Sequence, residues 1–269
     1  MTTQFLKILA ALAYLAMITV NALANILPIN NHTTGAVSNS YPNLFAPAAL
    51  TFSIWGLIYL LLTGYVVYQF IKSAKGRESL FGKINPLFIA TSLANFFWVL
   101  AWHYELIGLS AILIVTLLVL LSKIAGILRQ EKFSAQEKLF IMAPFSVYFG
   151  WITVATIANI TVFLVSIGWN GFGIADFIWT GIILLVGALI GILRMRQDKN
   201  IAYGLVLVWA YLGILIKHLS ASGFKGQYPS VIAVTVVCLI SFIFFIGKIS
   251  FYSKSGLCPE KWTWGKKLD

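Results

Sequence analysis

Eight apolar segments, each near the ~20 residues that an α-helix needs to cross a bilayer, make up most of this 269-residue chain. They cover residues 5–27, 49–71, 86–104, 106–128, 139–161, 177–193, 201–219 and 229–250. Only 10% of the residues are charged, whereas soluble domains contain roughly 25%. The pattern predicts an all-α integral membrane protein with about eight transmembrane helices, and it excludes a single water-soluble domain.

The basic residues predict how these helices are oriented. All but two of the 19 Lys and Arg residues lie at the N-terminus, in every second connection between spans, or in the C-terminal tail; the exceptions are Lys217 and Lys225. By the positive-inside rule, both chain ends are predicted to be cytoplasmic in a cell membrane, as an even number of spans requires. The net charge of +11 therefore indicates anchoring at a membrane surface and not nucleic-acid binding.

The first segment also has the features of a signal peptide. Lys7 precedes an apolar stretch that ends in Ala22-Leu23-Ala24, which is similar to a cleavage site. Cleavage there would leave seven spans and an outer N-terminus. The length of the segment favours a retained first span, and the alternative stays open.

Polar residues inside the spans exclude some classes of function. No acidic residue lies deep in a span, which weighs against an ion-driven carrier. The sequence contains no metal-ligand spacing and no nucleophile–base pair, so no enzyme activity is predicted. Lys217 could hold retinal, but it has no deep carboxylate counter-ion and is interpreted as an interfacial lysine.

Three spans each carry a stripe of aromatic and polar side chains at helical spacing. The stripes consist of Trp55 and Tyr59 in span two, Asn95, Trp98 and Trp102 in span three, and Trp151, Ala155 and Asn159 in span five. Indole and carboxamide groups are costly to expose to lipid, so the stripes should face the interior of the bundle. A flat conjugated ligand would stack on such walls, but ordinary helix packing gives the same pattern.

Span five resembles a known family most closely. After Pro144 and Phe145 it reads W-I-T-V-A-T-I-A-N from Trp151 to Asn159. This is similar to the P-Y…W-x-x-x-A-x-x-x-N helix of the TspO/MBR family, the tryptophan-rich sensory proteins related to the mitochondrial translocator protein. The Pro-to-Trp spacing is longer in this chain than in the family pattern.

Spans two and three continue the resemblance in the family's order. Pro47, Trp55 and Tyr59 are similar to the family's P-x-x-x-F-x-x-x-W-x-x-x-Y segment, with Phe52 one residue out of register. The N-F-F-W stretch at 95–98 resembles the family's N-x-x-W block. The resemblance covers about residues 1–170, for which it implies a five-helix TspO-like bundle. Residues 171–269 add three transmembrane helices and a short basic cytoplasmic tail, so the chain resembles a long variant.

The resemblance implies a function as well as a fold. It implies a multi-pass membrane receptor or binding protein for a planar hydrophobic ligand, a porphyrin or another tetrapyrrole, in sensing or stress response. A passive transporter or exporter of such ligands is the alternative. The expected partners are the lipid bilayer and the small ligand, with no nucleic acid; a homodimer stays open. No cofactor is required, although a porphyrin or haem-type molecule is the expected ligand.

The resemblance also assigns roles to individual residues. The predicted ligand-binding set is Trp55, Tyr59, Asn95, Trp98, Trp102, Trp151, Ala155 and Asn159. Trp55, Trp98 and Trp151 would be the pocket aromatics. Asn95 and Asn159 would be helix-packing or ligand-orienting amides. The loop over residues 28–48 would act as a lid.

Overall fold

The computed structural model describes residues 3–27, 29–71 and 76–255, with side chains as far as residue 252. Its helices in chain order are α1 (Thr3–Ile26), α2 (Thr34–Asn39), α3 (Ile54–Tyr68), α4 (Glu78–His103), α5 (Ile107–Leu128), α6 (Ala135–Glu137), α7 (Ala143–Ser166), α8 (Asp176–Asp198), α9 (Ile201–Leu219) and α10 (Pro229–Ser255). The described part contains eight helical segments long and apolar enough to span a membrane. The prediction of an all-α membrane protein is confirmed. Residue 28 of the predicted lid and the predicted tail beyond residue 255 lie outside the described residues.

Helix α7 lies at the centre of the bundle. It packs against α3 and α5 of the N-terminal half and against α9 of the C-terminal half, while α1 packs along α4 and α10 packs on α8 and α9. Residues 144–154 of α7 are all buried. Small and polar residues in this stretch, among them Ser146, Gly150 and Thr153, favour close packing with other helices, which accords with its central place.

A glycine allows α7 and α9 to approach closely. A Cβ atom on Gly150 would lie 3.0 Å from the Cβ of Val206 and 3.1 Å from the carbonyl oxygen of Tyr203. Two hydrogen bonds cross the same interface: the Asn200 side chain donates to Ser146 (2.6 Å), and the Tyr203 hydroxyl donates to Thr153 (3.1 Å). Small residues and polar contacts of this kind stabilise helix pairs in membranes, where apolar burial against lipid offers little.

The tight connection between spans three and four is a helical hairpin, as the sequence predicts. Helix α4 ends at His103 and α5 begins at Ile107. Glu105 adopts a left-handed conformation (φ 55°), and the amide of Leu106 donates to the carbonyl of Ala101 (2.8 Å). The carbonyls at the end of α4 are thus satisfied within the turn.

The third span begins earlier than its apolar segment. Helix α4 starts at Glu78, eight residues before the predicted start at 86. In these first turns Glu78, Ser79 and Lys83 are exposed, whereas Asn85 is paired inside the protein. Asn85 is fully buried, donates to the Gln69 side chain (2.7 Å) and accepts from the Tyr65 hydroxyl (2.8 Å). Hydropathy alone does not detect a polar side chain that is satisfied by its neighbours.

Arg77, directly before α4, fastens that helix to the start of the fifth span. Its guanidinium donates to the carboxylates of Glu137 (3.0 Å) and Glu131 (3.2 Å) and to the carbonyl of Lys132 (2.6 Å). These contacts raise the pKa of Arg77, with its hydrogen bond to Glu137 as the main cause. A π-helical turn over Lys138–Met142 follows and leads into α7.

We expect Arg77→Met to lower the free energy of unfolding by about 1–3 kcal/mol, because the partly buried carboxylates lose their charged donor. Thermal unfolding in detergent micelles measures the effect. Arg77→Lys keeps the charge but not the planar fork, so its unfolding midpoint should lie between those of the wild type and Arg77→Met. Equal midpoints for all three proteins would contradict a stabilising role for this cluster.

Candidate ligand-binding site

A narrow, partly open cavity of about 40 Å³ lies between α3, α4 and α7, beneath α2 and the segment that follows it. Apolar and aromatic side chains form most of its wall. The lining residues are Thr34, Ser38, Pro47, Phe52, Trp55, Trp98, Trp102, Trp151, Val154, Ala155, Ala158, Asn159 and Val162. The predominantly apolar lining with a few polar groups is typical of a site for a small organic molecule, whereas the volume holds only a few waters, so a larger ligand requires the wall to move.

Four tryptophans and Phe52 form the aromatic part of the wall, with Trp55 at the centre of the tryptophans. Its ring centroid lies 5.9 Å from that of Trp98 and 6.2 Å from that of Trp151, and the planes of Trp55 and Trp151 are nearly perpendicular (83°). Trp98 in turn stacks on Trp102 at 5.9 Å. The helical spacing within each span and the packing of α3 and α7 together bring these rings into one cluster.

Three hydrogen-bond donors on the cavity wall have no partner within the described part of the chain. They are the indole N–H groups of Trp98 and Trp151 and the side-chain amide nitrogen of Asn159, all buried. The Asn159 oxygen does have a partner, since it accepts from the Ser110 hydroxyl (3.1 Å). Buried polar groups are nearly always paired, so these three donors call for acceptor atoms from ordered water or from a ligand.

Most of the predicted ligand-binding residues line this cavity. They are Trp55, Trp98, Trp102, Trp151, Ala155 and Asn159. Tyr59 does not line it. Its ring stacks on Trp55 (5.6 Å), and Tyr59 lines an open groove of about 600 Å³ between α1 and α3.

Asn95 does not line the cavity either. Its side chain is fully buried, accepts from the amide of Asn21 (2.7 Å) and donates to the hydroxyl of Tyr148 (3.0 Å). It therefore joins α1, α4 and α7. Of the two roles that the resemblance allows for Asn95, its contacts correspond to helix packing.

The predicted lid forms the roof of the cavity. In its first half, Thr34 and Ser38 of α2 line the cavity, and the carbonyl of Thr34 accepts from the Trp102 indole (3.1 Å). The Tyr41 hydroxyl donates to the Glu105 carboxylate (2.9 Å), which raises the pKa of Tyr41 in addition to the effect of burial. This half of the lid is thus fastened to the α4–α5 hairpin.

A family model described as TSPO-like protein matches residues 7–248. The chain belongs to the TSPO-like family. The match reaches into all eight spans, including the three of the C-terminal half. No curated protein and no solved structure matches the chain. Family membership and the eight spans together indicate a ligand-binding membrane protein.

In this TSPO-like protein, sequence reasoning missed Phe52 and the residues of the roof. Phe52 lies in a 3₁₀ turn (Ala49–Ser53), and its ring meets that of Trp151 edge-on at 5.9 Å. Residues i and i+3 share a face in both a 3₁₀ turn and an α-helix, so Phe52 lies on the side of Trp55 although it is one residue out of register with the family pattern. Thr34 and Ser38 follow the capping residue Thr33, a helix-start signal that could have located α2.

Proposed function

We propose that this TSPO-like protein binds a planar hydrophobic ligand, a porphyrin or another tetrapyrrole, in the cavity beneath α2. In this proposal it acts as a receptor in sensing or stress response and has no enzymatic activity. The observation that carries the proposal is the convergence of tryptophans from three helices, together with three residues that carry unpaired N–H donors, around one narrow apolar cavity.

The aromatic walls support a flat ligand. Trp98 and Trp102 form one stacked pair, whereas Trp55 and Trp151 stand almost perpendicular to each other. A planar conjugated molecule can stack against one ring and meet another edge-on, and both geometries are favourable for aromatic groups. A flexible aliphatic ligand would gain apolar burial but not these oriented contacts.

The donors support a ligand that carries acceptor oxygens at its edge. The indoles of Trp98 and Trp151 can only donate, and the free part of the Asn159 amide is its nitrogen. The propionate groups of a porphyrin are carboxylates, which accept strong, charge-assisted hydrogen bonds. None of the lining residues is His, Cys or Met, so the lining supplies no usual axial ligand to a haem iron, and a metal-free porphyrin fits the residues better.

The proposed orientation of the protein in the membrane follows from the positions of its basic residues. α1 begins and α10 ends on the same side of the bundle, the side that also carries Arg77 and Arg194. We place this side in the cytoplasm of a cell-membrane protein, in accord with the positive-inside rule. The roof over residues 29–53 then faces the opposite side of the membrane.

Titration with two porphyrins that share a macrocycle tests the proposal. Protoporphyrin carries two propionates, whereas octaethylporphyrin carries none. We expect both to quench the tryptophan fluorescence of the purified protein saturably, with protoporphyrin binding about tenfold more tightly because its carboxylates meet the unpaired donors. Linear, unsaturated quenching by both would overturn the proposal. Equal affinities would refute the part assigned to the donors.

A further inference from the structure

We propose that α9, in the C-terminal half of the chain, positions the roof of the cavity and thereby sets how fast a ligand leaves. The proposal makes Gly213 and Trp209 of α9 positioning residues for the site. The part of this proposal that concerns ligand release rests on the proposed function. The part that concerns the position of the roof can be tested without any ligand.

Hydrogen bonds to α9 hold the segment that runs from the second half of the lid to Thr51. The amide of Ala48 donates to the carbonyl of Gly213 (3.0 Å), and the Trp209 indole donates to the carbonyl of Thr51 (2.9 Å). At the end of α9, the His218 Nε2 donates to the carbonyl of Leu44 (2.9 Å). The roof is therefore suspended between the α4–α5 hairpin on one side and α9 on the other.

The approach at Gly213 leaves no room for a side chain. A Cβ atom built there would lie 1.9 Å from the hydroxyl oxygen of Thr51, 2.7 Å from its methyl carbon and 2.8 Å from its Cβ. Thr51 is buried, at 3% exposure. Its side chain thus fits against the bare backbone of α9, and the absence of a side chain at position 213 is what permits this fit.

Two of these contacts lie one residue away from the cavity wall. Thr51 directly precedes Phe52, which lines the cavity and meets the Trp151 ring edge-on. Ala48 directly follows Pro47, which also lines the cavity. A shift of the segment against α9 must therefore move both wall residues.

Helix α9 itself contributes none of the lining residues. Its effect on a ligand must act through the roof, because it has no side chain in contact with the cavity. Its own place is fixed against α7 by the close approach at Gly150. The C-terminal half is in this way coupled to the cavity that the N-terminal half encloses.

The test replaces Gly213 with alanine and follows the opening of the roof without a ligand. Ser38 is buried on the cavity wall, so a Ser38→Cys variant reports opening through its rate of maleimide labelling, with Cys238 and Cys258 replaced by alanine. We expect Gly213→Ala to accelerate labelling by about fivefold or more. The matched control is Gly247→Ala on α10, where a Cβ meets no atom within 4 Å and labelling should keep the reference rate.

A compensating substitution shows whether Gly213→Ala acts by displacing the roof or by loosening the whole protein. Thr51→Ala removes the two atoms nearest to the new Cβ but keeps its own Cβ at 2.8 Å, so adding it to Gly213→Ala should return the labelling rate part of the way to the reference. If Gly213→Ala does not fold, Trp209→Phe takes its place, since it removes only the donor to Thr51; faster labelling is again expected. An unchanged rate in the folded variant, or acceleration without rescue by Thr51→Ala, would overturn the proposal.

Ligand release is measured on the same variants. The dissociation rate of protoporphyrin should rise about threefold or more in Gly213→Ala and stay unchanged in Gly247→Ala. Faster labelling with an unchanged dissociation rate would overturn the claim about release. If protoporphyrin does not bind the wild-type protein but labelling responds as expected, the proposed function fails while the role of α9 in holding the roof stands.

Discussion

Replacing Trp151 with alanine is expected to weaken protoporphyrin binding by about tenfold or more. Trp151 is 3% exposed, meets Phe52 edge-on at 5.9 Å and lies 6.2 Å from the ring of Trp55. It also holds one of the unpaired indole donors. The substitution removes an aromatic contact, worth about 0.5–1.5 kcal/mol beyond burial, and a hydrogen bond of about 1 kcal/mol.

The absorbance of the porphyrin should follow this titration, because the variant itself lacks one of the fluorescent tryptophans. Trp169→Ala is the matched control: that ring packs on Trp179 at 5.2 Å in the α7–α8 connection and does not line the cavity. It should leave the affinity unchanged. Trp151→Phe keeps an aromatic ring without the donor and should give an intermediate affinity. Equal affinities for Trp151→Ala and the wild type would show that this ring only packs helices.

Replacing Asn95 with leucine is expected to lower the free energy of unfolding by about 2–4 kcal/mol while the folded protein keeps its ligand affinity. Asn95 exchanges hydrogen bonds with Asn21 and Tyr148 in a fully buried place. Leucine would leave the buried Tyr148 hydroxyl without a partner. Because Asn95 does not line the cavity, the loss should appear in stability and not in affinity.

Asn159→Leu is the matched comparison, since it makes the same exchange at a buried amide that does line the cavity. Its nitrogen has no partner in the described structure, and Ser110 keeps a second acceptor in the carbonyl of Ile107 (2.9 Å). We expect little change in the unfolding temperature and weaker protoporphyrin binding. Thermal unfolding in micelles and porphyrin titration measure both variants. Weaker binding by Asn95→Leu together with a lower unfolding temperature for Asn159→Leu would contradict the roles assigned to these two amides.

The number and order of the spans could be predicted because a lipid environment requires long apolar helices. The length and the composition of each apolar segment in the sequence therefore identify a span. Helical spacing also identified which residues share a stripe. It did not resolve differences within a stripe: Asn95 and Trp98 are three residues apart, which turns their side chains about 60° from each other. Trp98 consequently reaches the cavity while Asn95 points to α1 and α7.

The anchors of the lid could not be predicted for a different reason. Trp209 lies 158 residues beyond Thr51, and His218 lies 174 residues beyond Leu44. Periodicity describes only one helix at a time, and it contains no information about which distant helix lies beside a loop. The resemblance predicted a lid, but a resemblance covering residues 1–170 could not assign its second half to α9.

The number of residues in and after the π-helical turn at Lys138–Met142 determines the orientation of the site residues on α7. Each residue of an α-helix turns the following side chains by about 100° around the axis. The number of residues between Glu137, which Arg77 holds in place, and Trp151 therefore decides the direction in which the cavity face of α7 points. Substitutions in this turn preserve that direction. A single residue inserted between this turn and Trp151 would rotate Trp151, Ala155 and Asn159 together away from the cavity, so the stretch from 143 to 150 is constrained more by its residue count than by its composition.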